Sequence, residues 1–333
     1  MEVTGNRDDR SGVIDAGPNG VAGRGLQVTG RVLMVRPMRF GFNRETATSN
    51  TLQRWPVIGA ELVHQRALAE FDCVAGKLLS YGVDVQVAED TDQPDKPDAI
   101  FPNNWVSFHD DGTVVLYPLQ AASRRAERRR DIVAWLTEEG GFEVRRIVDL
   151  SWLEQRAQYL EGTGSLVLDR PAMVAYAALS PRTHPAALVR FGEETGFRVE
   201  TFRTREENGI PLYHTNVMLS LGDRFAVVCA EAIAEAGERR RVLRTLADSG
   251  RDVVMITMVQ LGEFAANLLQ LRARHDSSMI LLSERARRSL HPEQLSVLAR
   301  HGELVAVAVE TIEQVGGGGV RCMLAEIFLP QAV

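Results

Sequence analysis

Arg300 His301 Gly302 Glu303 Leu304 Val305 Ala306 Val307 reads as a helix end, a glycine stop and an apolar, β-branched run. Four other junctions have the same grammar: Leu79 Ser80 Tyr81 Gly82 Val83, Glu139 Gly140 Gly141 Phe142, Glu194 Thr195 Gly196 Phe197, and Asp248 Ser249 Gly250 Arg251. Glycine just past a helix is the expected left-handed cap, and the runs that follow have strand composition. The glycines fall at 82, 141, 196, 250 and 302, at intervals of 59, 55, 54 and 52 residues. A plain β-α step needs only about 30 residues. The longer interval leaves room for extra strands, for which Thr113 to Tyr117 and Met173 to Tyr176 are candidates. Each unit then becomes a small sheet with one covering helix. The expectation is an α/β fold of five such units closed into a ring, with a central cavity floored by strand ends. An open doubly wound sheet fits less well, because no phosphate-binding glycine fingerprint is present.

The remaining composition sets outer limits. The chain has 333 residues, 45% hydrophobic and 25% charged, as expected of a soluble protein with a large core. It has no apolar stretch long enough to span a bilayer and no signal-peptide core. Cys73, Cys229 and Cys322 are too scattered for a disulfide framework or a structural zinc site, so a reducing cytoplasm is expected. The net charge of -6 argues against nucleic acid. The basic run Arg124 to Arg130 is mixed with Glu127 and reads as a solvated helix face. Residues 1–28 lack apolar periodicity and are expected to form a flexible extension, with one domain from 29 to 333. A homo-oligomer remains compatible with these features.

Four segments look unsuited to pure packing. Cys322 follows Gly316 to Gly319, which remove every Cβ from the approach to one thiol. Phe101 Pro102 Asn103 Asn104 Trp105 puts two amides in a strand-like run, where asparagine is disfavoured. Leu160 Glu161 Gly162 Thr163 Gly164 Ser165 places a carboxylate beside a turn. Tyr213 His214 Thr215 Asn216 Val217 puts a histidine and an amide two apart, on one face if the run is a strand. Each has an ordinary reading: a core cysteine, a proline turn, a loop carboxylate, a half-buried histidine. Together they supply a nucleophile, a proton carrier, an orienting carboxylate and neutral amides for a polar substrate.

In this order the segments resemble the guanidino-group modifying superfamily of arginine deiminases, dimethylarginine hydrolases and amidinotransferases. The branch they are most similar to is citrulline utilization hydrolase. The resemblance runs from Met34 Val35 Arg36 Pro37 to Leu329 Pro330. It implies a five-bladed α/β propeller, the pentein fold, as a single catalytic domain. By the same resemblance Cys322 is the nucleophile, His214 the general acid and base, and Glu161 the carboxylate orienting His214. The chain departs from the pattern at Gly319, where serine is expected, and at Ala266, where glycine is expected.

Arginine-processing relatives carry aspartates at the positions of Asn104 and Asn216. An aspartate pairs with a guanidinium, whereas an asparagine matches a neutral ureido group by both donating and accepting. The expected reaction is therefore hydrolysis of citrulline to ornithine, carbon dioxide and ammonia, with no metal or organic cofactor. Arginine or methylarginine hydrolysis, amidino transfer and a catalytically silent binding protein stay open. Phe101, Asn103, Asn104 and Asn216 are expected to contact substrate, and Arg36, Asn43 and Arg182 are candidates for its α-amino and α-carboxylate ends. The site's field is expected to hold Cys322 as a thiolate.

Overall fold

Apolar hairpins alternate with helix-spanning crossovers along the chain, and each hairpin recruits the strand beyond its helix. The computed structural model describes residues 13–14, 25–205 and 210–332. After β1 (Val13–Ile14) the order is β2 (Arg31–Arg36), α1 (Ala60–Ser80), β3 (Asp84–Glu89), β4 (Val106–Phe108), β5 (Thr113–Leu116), α2 (Arg130–Glu138) and β6 (Arg146–Asp149). The middle contains α3 (Gly162–Ser165), β7 (Val167–Asp169), β8 (Val174–Leu179), α4 (Pro185–Thr195), β9 (Arg198–Arg203), β10 (Leu219–Leu221), β11 (Phe225–Val228), α5 (Ala236–Asp248) and β12 (Asp252–Met255). The chain ends with α6 (Met258–Gly262), β13 (Leu269–Arg272), β14 (Ser278–Ser283), α7 (Glu284–Ser289), α8 (Pro292–Ala299), β15 (Glu303–Val307) and β16 (Ala325–Glu326).

Five sheets repeat one three-stranded topology, β4-β5-β6, β7-β8-β9, β10-β11-β12, β13-β14-β15 and β16-β2-β3, with β1 added antiparallel to β9 as a fourth strand of the second. In each, the first strand is antiparallel to the second and the second parallel to the third. The last sheet takes its first strand from the C-terminal end, where Ala325 pairs with Leu33 and Glu326 with Val32. First strands of different sheets lie together, β16 beside β4 and β10 beside both β7 and β13. The inner strands are buried on both faces, which is why they read as continuous apolar runs rather than alternating ones. The helices show one apolar stripe: in α1 it is Val63, Ala67, Phe71, Val74 and Leu78, while Leu68 sits at its margin.

Gly82, Gly141, Gly196 and Gly250 have φ of 80°, 68°, 78° and 73°, as left-handed caps require. Gly302 is glycine for a different reason: a Cβ there would stand 2.9 Å from the Ser278 carbonyl oxygen. Its unit also differs in carrying two helices, α7 and α8, in place of one. Of the extension expected over 1–28, residues 1–12 and 15–24 lie outside the described residues. Gln27 is buried, donating to Leu168 O at 2.9 Å and accepting from the Arg170 N–H at 3.0 Å. No helix among the described residues is long and apolar enough to cross a membrane.

Candidate active site

Each sheet's first strand is preceded by a tight turn, and the residues three positions before those strands are Asn103, Gly164, Asn216, Ala266 and Cys322. Pro102–Asn104, Thr215–Val217 and Val320–Met323 are 3-10 turns. The α3 turn packs against the first two of these, and the first packs against the third. Asn104, Asn216 and Cys322 therefore meet because equivalent turns converge. The strand reading of these segments needs correction: Asn104 and Asn216 lie in turns, and only His214 has extended angles. Proline at the turn's first position and the tight i to i+3 bond between Asn104 N–H and Phe101 O favour the 3-10 form locally.

Gly164 permits a close approach of two site side chains. A Cβ on it would stand 2.6 Å from Asn104 Nδ2 and 2.8 Å from His214 Nδ1. Ser165 fixes the turn by accepting from Glu161 N–H at 3.0 Å and donating to Arg182 O at 3.0 Å.

Glu161 and His214 are both buried, with Glu161 Oε2 2.8 Å from His214 Nε2. The same oxygen lies 3.3 Å from Arg182 and 3.5 Å from Arg124, and Oε1 accepts from Gln120 N–H at 3.1 Å. Burial alone would raise the Glu161 pKa. Arg182, the His214 hydrogen bond and Arg124 outweigh it and hold the carboxylate well below its ordinary range. Burial pushes His214 down to about 4, although Glu161 opposes the shift.

Cys322 is 5% exposed. Its Sγ faces two side-chain amides, Asn267 Nδ2 at 3.4 Å and Asn216 Nδ2 at 3.6 Å. Burial raises the thiol above its ordinary value despite these donors and Arg321. Desolvation thus opposes the thiolate expected from the sequence, and likewise a charged imidazole.

The glycine run is packed rather than open. Cβ atoms on Gly316 and Gly318 would meet the Phe101 ring at 2.8 and 2.9 Å. One on Gly319 would stand 2.5 Å from Asn267 Oδ1. The serine expected at this position would require Asn267 to shift. Gly317 has φ 63°, and its carbonyl accepts from Tyr213 Oη at 2.5 Å and Asn50 Nδ2 at 3.3 Å.

Cys322 and His214 line one narrow cavity with about 10 Å³ of free space, room for about one water molecule. Phe101, Asn104, Asp98, Arg124 and Arg182 line it too. Asp98 and Arg124 were missed by the sequence reading. Asp98 Oδ1 is buried without a partner, while Oδ2 accepts from Asn43 at 2.8 Å and lies 3.5 Å from Arg124. Burial raises the Asp98 pKa, opposed by Arg124 and the Asn43 bond. Arg124 is no solvated helix residue: it is 2% exposed, binds Glu127 at 3.0 and 2.8 Å, and donates to Asn104 Oδ1 at 2.9 Å. Three buried carboxylates, Glu127, Asp98 and Glu161, hold it charged.

The other candidates separate. Arg182 lines the cavity, tied to Glu161, to Thr46 O at 3.0 Å and to Ser49 Oγ at 2.9 Å. Asn43 stands behind Asp98 and is not a lining residue. Arg36 is elsewhere, paired with Asp72 of α1 at 2.8 Å at the end of β2, the central strand of its sheet. Asn103 is buried and its Oδ1 accepts from Asn104 Nδ2 at 3.0 Å, but it does not line the cavity. Among the described residues no group of three or more His, Cys, Asp or Glu side chains is placed to hold a metal.

The N,N dimethylarginine dimethylhydrolase family of eukaryotic type matches residues 36–329. No curated protein sequence matches the chain. Among solved structures it is similar to ArgZ, an arginine dihydrolase from cyanobacteria, with 15% identity and a TM-score of 0.69 over 90% of this chain. The chain spans 41% of full-length ArgZ. Against the ArgZ N-terminal domain bound to product it shows 16% identity and a TM-score of 0.70, covering 90% of this chain and 99% of that one. A dimethylarginine dimethylaminohydrolase adduct with S-methyl-L-thiocitrulline matches at 13% identity and a TM-score of 0.60, covering 90% and 99%. At these identities the structures show the fold, that of pentein enzymes. The chain belongs to the eukaryotic-type N,N dimethylarginine dimethylhydrolase family, within the guanidino-group modifying superfamily of hydrolases acting on C–N bonds.

Proposed function

We propose that the chain hydrolyses the ureido group of citrulline, giving ornithine, carbon dioxide and ammonia, with Cys322 as nucleophile. The observation carrying this reading is the neutrality of the thiol's surroundings: Sγ meets the amides of Asn216 and Asn267 and no carboxylate. A guanidinium placed there would find no counter-charge, whereas a ureido group finds donors and acceptors. Asp98 and Arg182 line the same cavity, where the free Asp98 oxygen would suit an α-ammonium and Arg182 an α-carboxylate.

His214 takes the thiol proton as Sγ attacks the ureido carbon, and Glu161 stabilises the imidazolium formed. Among the described residues the Gly318 and Gly319 N–H groups have no acceptor, which leaves them available to the developing oxyanion. The C–N bond breaks as His214 protonates the leaving nitrogen. Water, activated by the now neutral His214, then attacks the carbamoyl thioester, freeing the thiol and releasing carbamic acid, which breaks down to carbon dioxide and ammonia. The five like sheets, closed by β16 pairing with β2, are read as blades of one ring around this site.

Arginine dihydrolysis, the activity printed for ArgZ, is the second reading. It is favoured by the raised thiol pKa, because a cationic substrate beside Cys322 would offset the desolvation that keeps it protonated. Quenching the protein during turnover and measuring intact mass separates the two. A carbamoyl group on Cys322 with citrulline is expected. An amidino adduct formed only with arginine would overturn the citrulline reading.

A further inference from the structure

A second, partly open chamber with about 30 Å³ of free space is lined by Asn216, which does not line the catalytic cavity. Asn216 and Thr163 line it, together with Arg170, Ser220, Arg321 and Glu326. Among the described residues two of these side chains make no hydrogen bond. Arg170 is 6% exposed and, among the described residues, its guanidinium makes no hydrogen bond or ion pair; one face rests on the Phe328 ring at 3.8 Å. Ser220 is also 6% exposed, and its hydroxyl is unsatisfied. Glu326 is the main opposite charge acting on Arg170, and Arg321 already engages it, so the guanidinium faces the chamber with N–H donors free for an anion.

The other charges in the chamber settle how much negative charge it can take. Arg321 is already paired with Glu326 at 2.7 Å and donates to Leu324 O at 2.9 Å. Gln27 is fully engaged with backbone groups of Leu168 and Arg170. One positive charge is left over. Its planar fork fits a planar oxyanion through two parallel N–H bonds, and a hydroxyl beside it can supply a third donor.

We propose that this chamber binds a small, planar, singly charged oxyanion of the bicarbonate or carboxylate class on Arg170 and Ser220. The site is independent of the reaction at Cys322 and stands or falls separately from it. Calorimetric titration of the full chain with sodium formate, at constant ionic strength, tests it. One saturable site is expected, bicarbonate competing and the larger dianion sulfate binding more weakly. Arg170→Gln should weaken formate by about tenfold or more, since a charge-assisted pair is lost. Ser220→Ala, which leaves every charge in place and so guards against misfolding of the first variant, should weaken it about threefold. No saturable binding overturns the proposal. So does equal affinity in Ser220→Ala, or loss on Arg182→Gln instead, which would place the anion in the catalytic cavity.

Discussion

Asn267 Nδ2 lies 3.4 Å from Cys322 Sγ, and Asn267 Oδ1 accepts the Arg321 N–H at 3.0 Å, so one amide holds both the thiol and the backbone beside it. Its position is set by a turn in which Phe264 adopts φ 60°, a region bulky residues avoid. The bond to sulfur strengthens when the thiol becomes a thiolate. Asn267→Ala should therefore lower kcat by about 10- to 100-fold, the worth of a hydrogen bond to a charged group, and slow alkylation of Cys322 at any given pH. Steady-state kinetics with an iodoacetamide pH profile checks this. An unchanged alkylation profile would make Asn267 merely structural.

Gly164→Ala drives a methyl group against Asn104 and His214. Overpacking of this kind costs about 1 to 3 kcal/mol of stability and displaces the histidine from Glu161. The expected outcome is a folded protein of lower Tm and with kcat down by about 100-fold, read by thermal melts and turnover.

Stability should fall on acidification. The Glu161 pKa is depressed in the fold, so its contribution is present above the ordinary glutamate pKa and is lost as pH falls through the lower folded value. His214 is also depressed, from 6.5 to about 4, so the unfolded chain takes up protons first and stability declines as pH drops through that window. Both signs agree. Thermal melts from pH 7 to 4 should show a falling Tm, with a smaller slope in His214→Gln.

The two asparagines should not be equivalent as specificity switches. Asn104 accepts from Arg124, so an aspartate there would pair with Arg124 and stay unavailable to substrate. Asn216 makes no hydrogen bond to an arginine among the described residues and faces the thiol. Asn216→Asp should raise the arginine-to-citrulline ratio of kcat/KM by about tenfold or more, and Asn104→Asp by much less. Equal effects would contradict the Arg124 argument.

The repeat was readable because a left-handed cap is a local demand, met by glycine at 82, 141, 196 and 250 whatever the surroundings. The convergence of Glu161, His214 and Cys322 was readable from motif order. Arg124 was not, because its burial depends on Asp98 and Glu161, carboxylates far away in sequence, as well as on Glu127. Nor was the 3-10 turn at Thr215–Val217, since the apolar residues after it carry strand composition. The glycines before Cys322 suggested an open approach, but what requires them is contact with Phe101, Asn50 and Asn267.

The most direct test is ornithine and ammonia release by the purified protein from citrulline, with arginine and dimethylarginine measured in parallel. Ornithine formed from citrulline, and lost in Cys322→Ala, is the expected result. Turnover of arginine or dimethylarginine with none of citrulline would contradict the reading of Asn216 and Asn267 as a neutral surround for a ureido group.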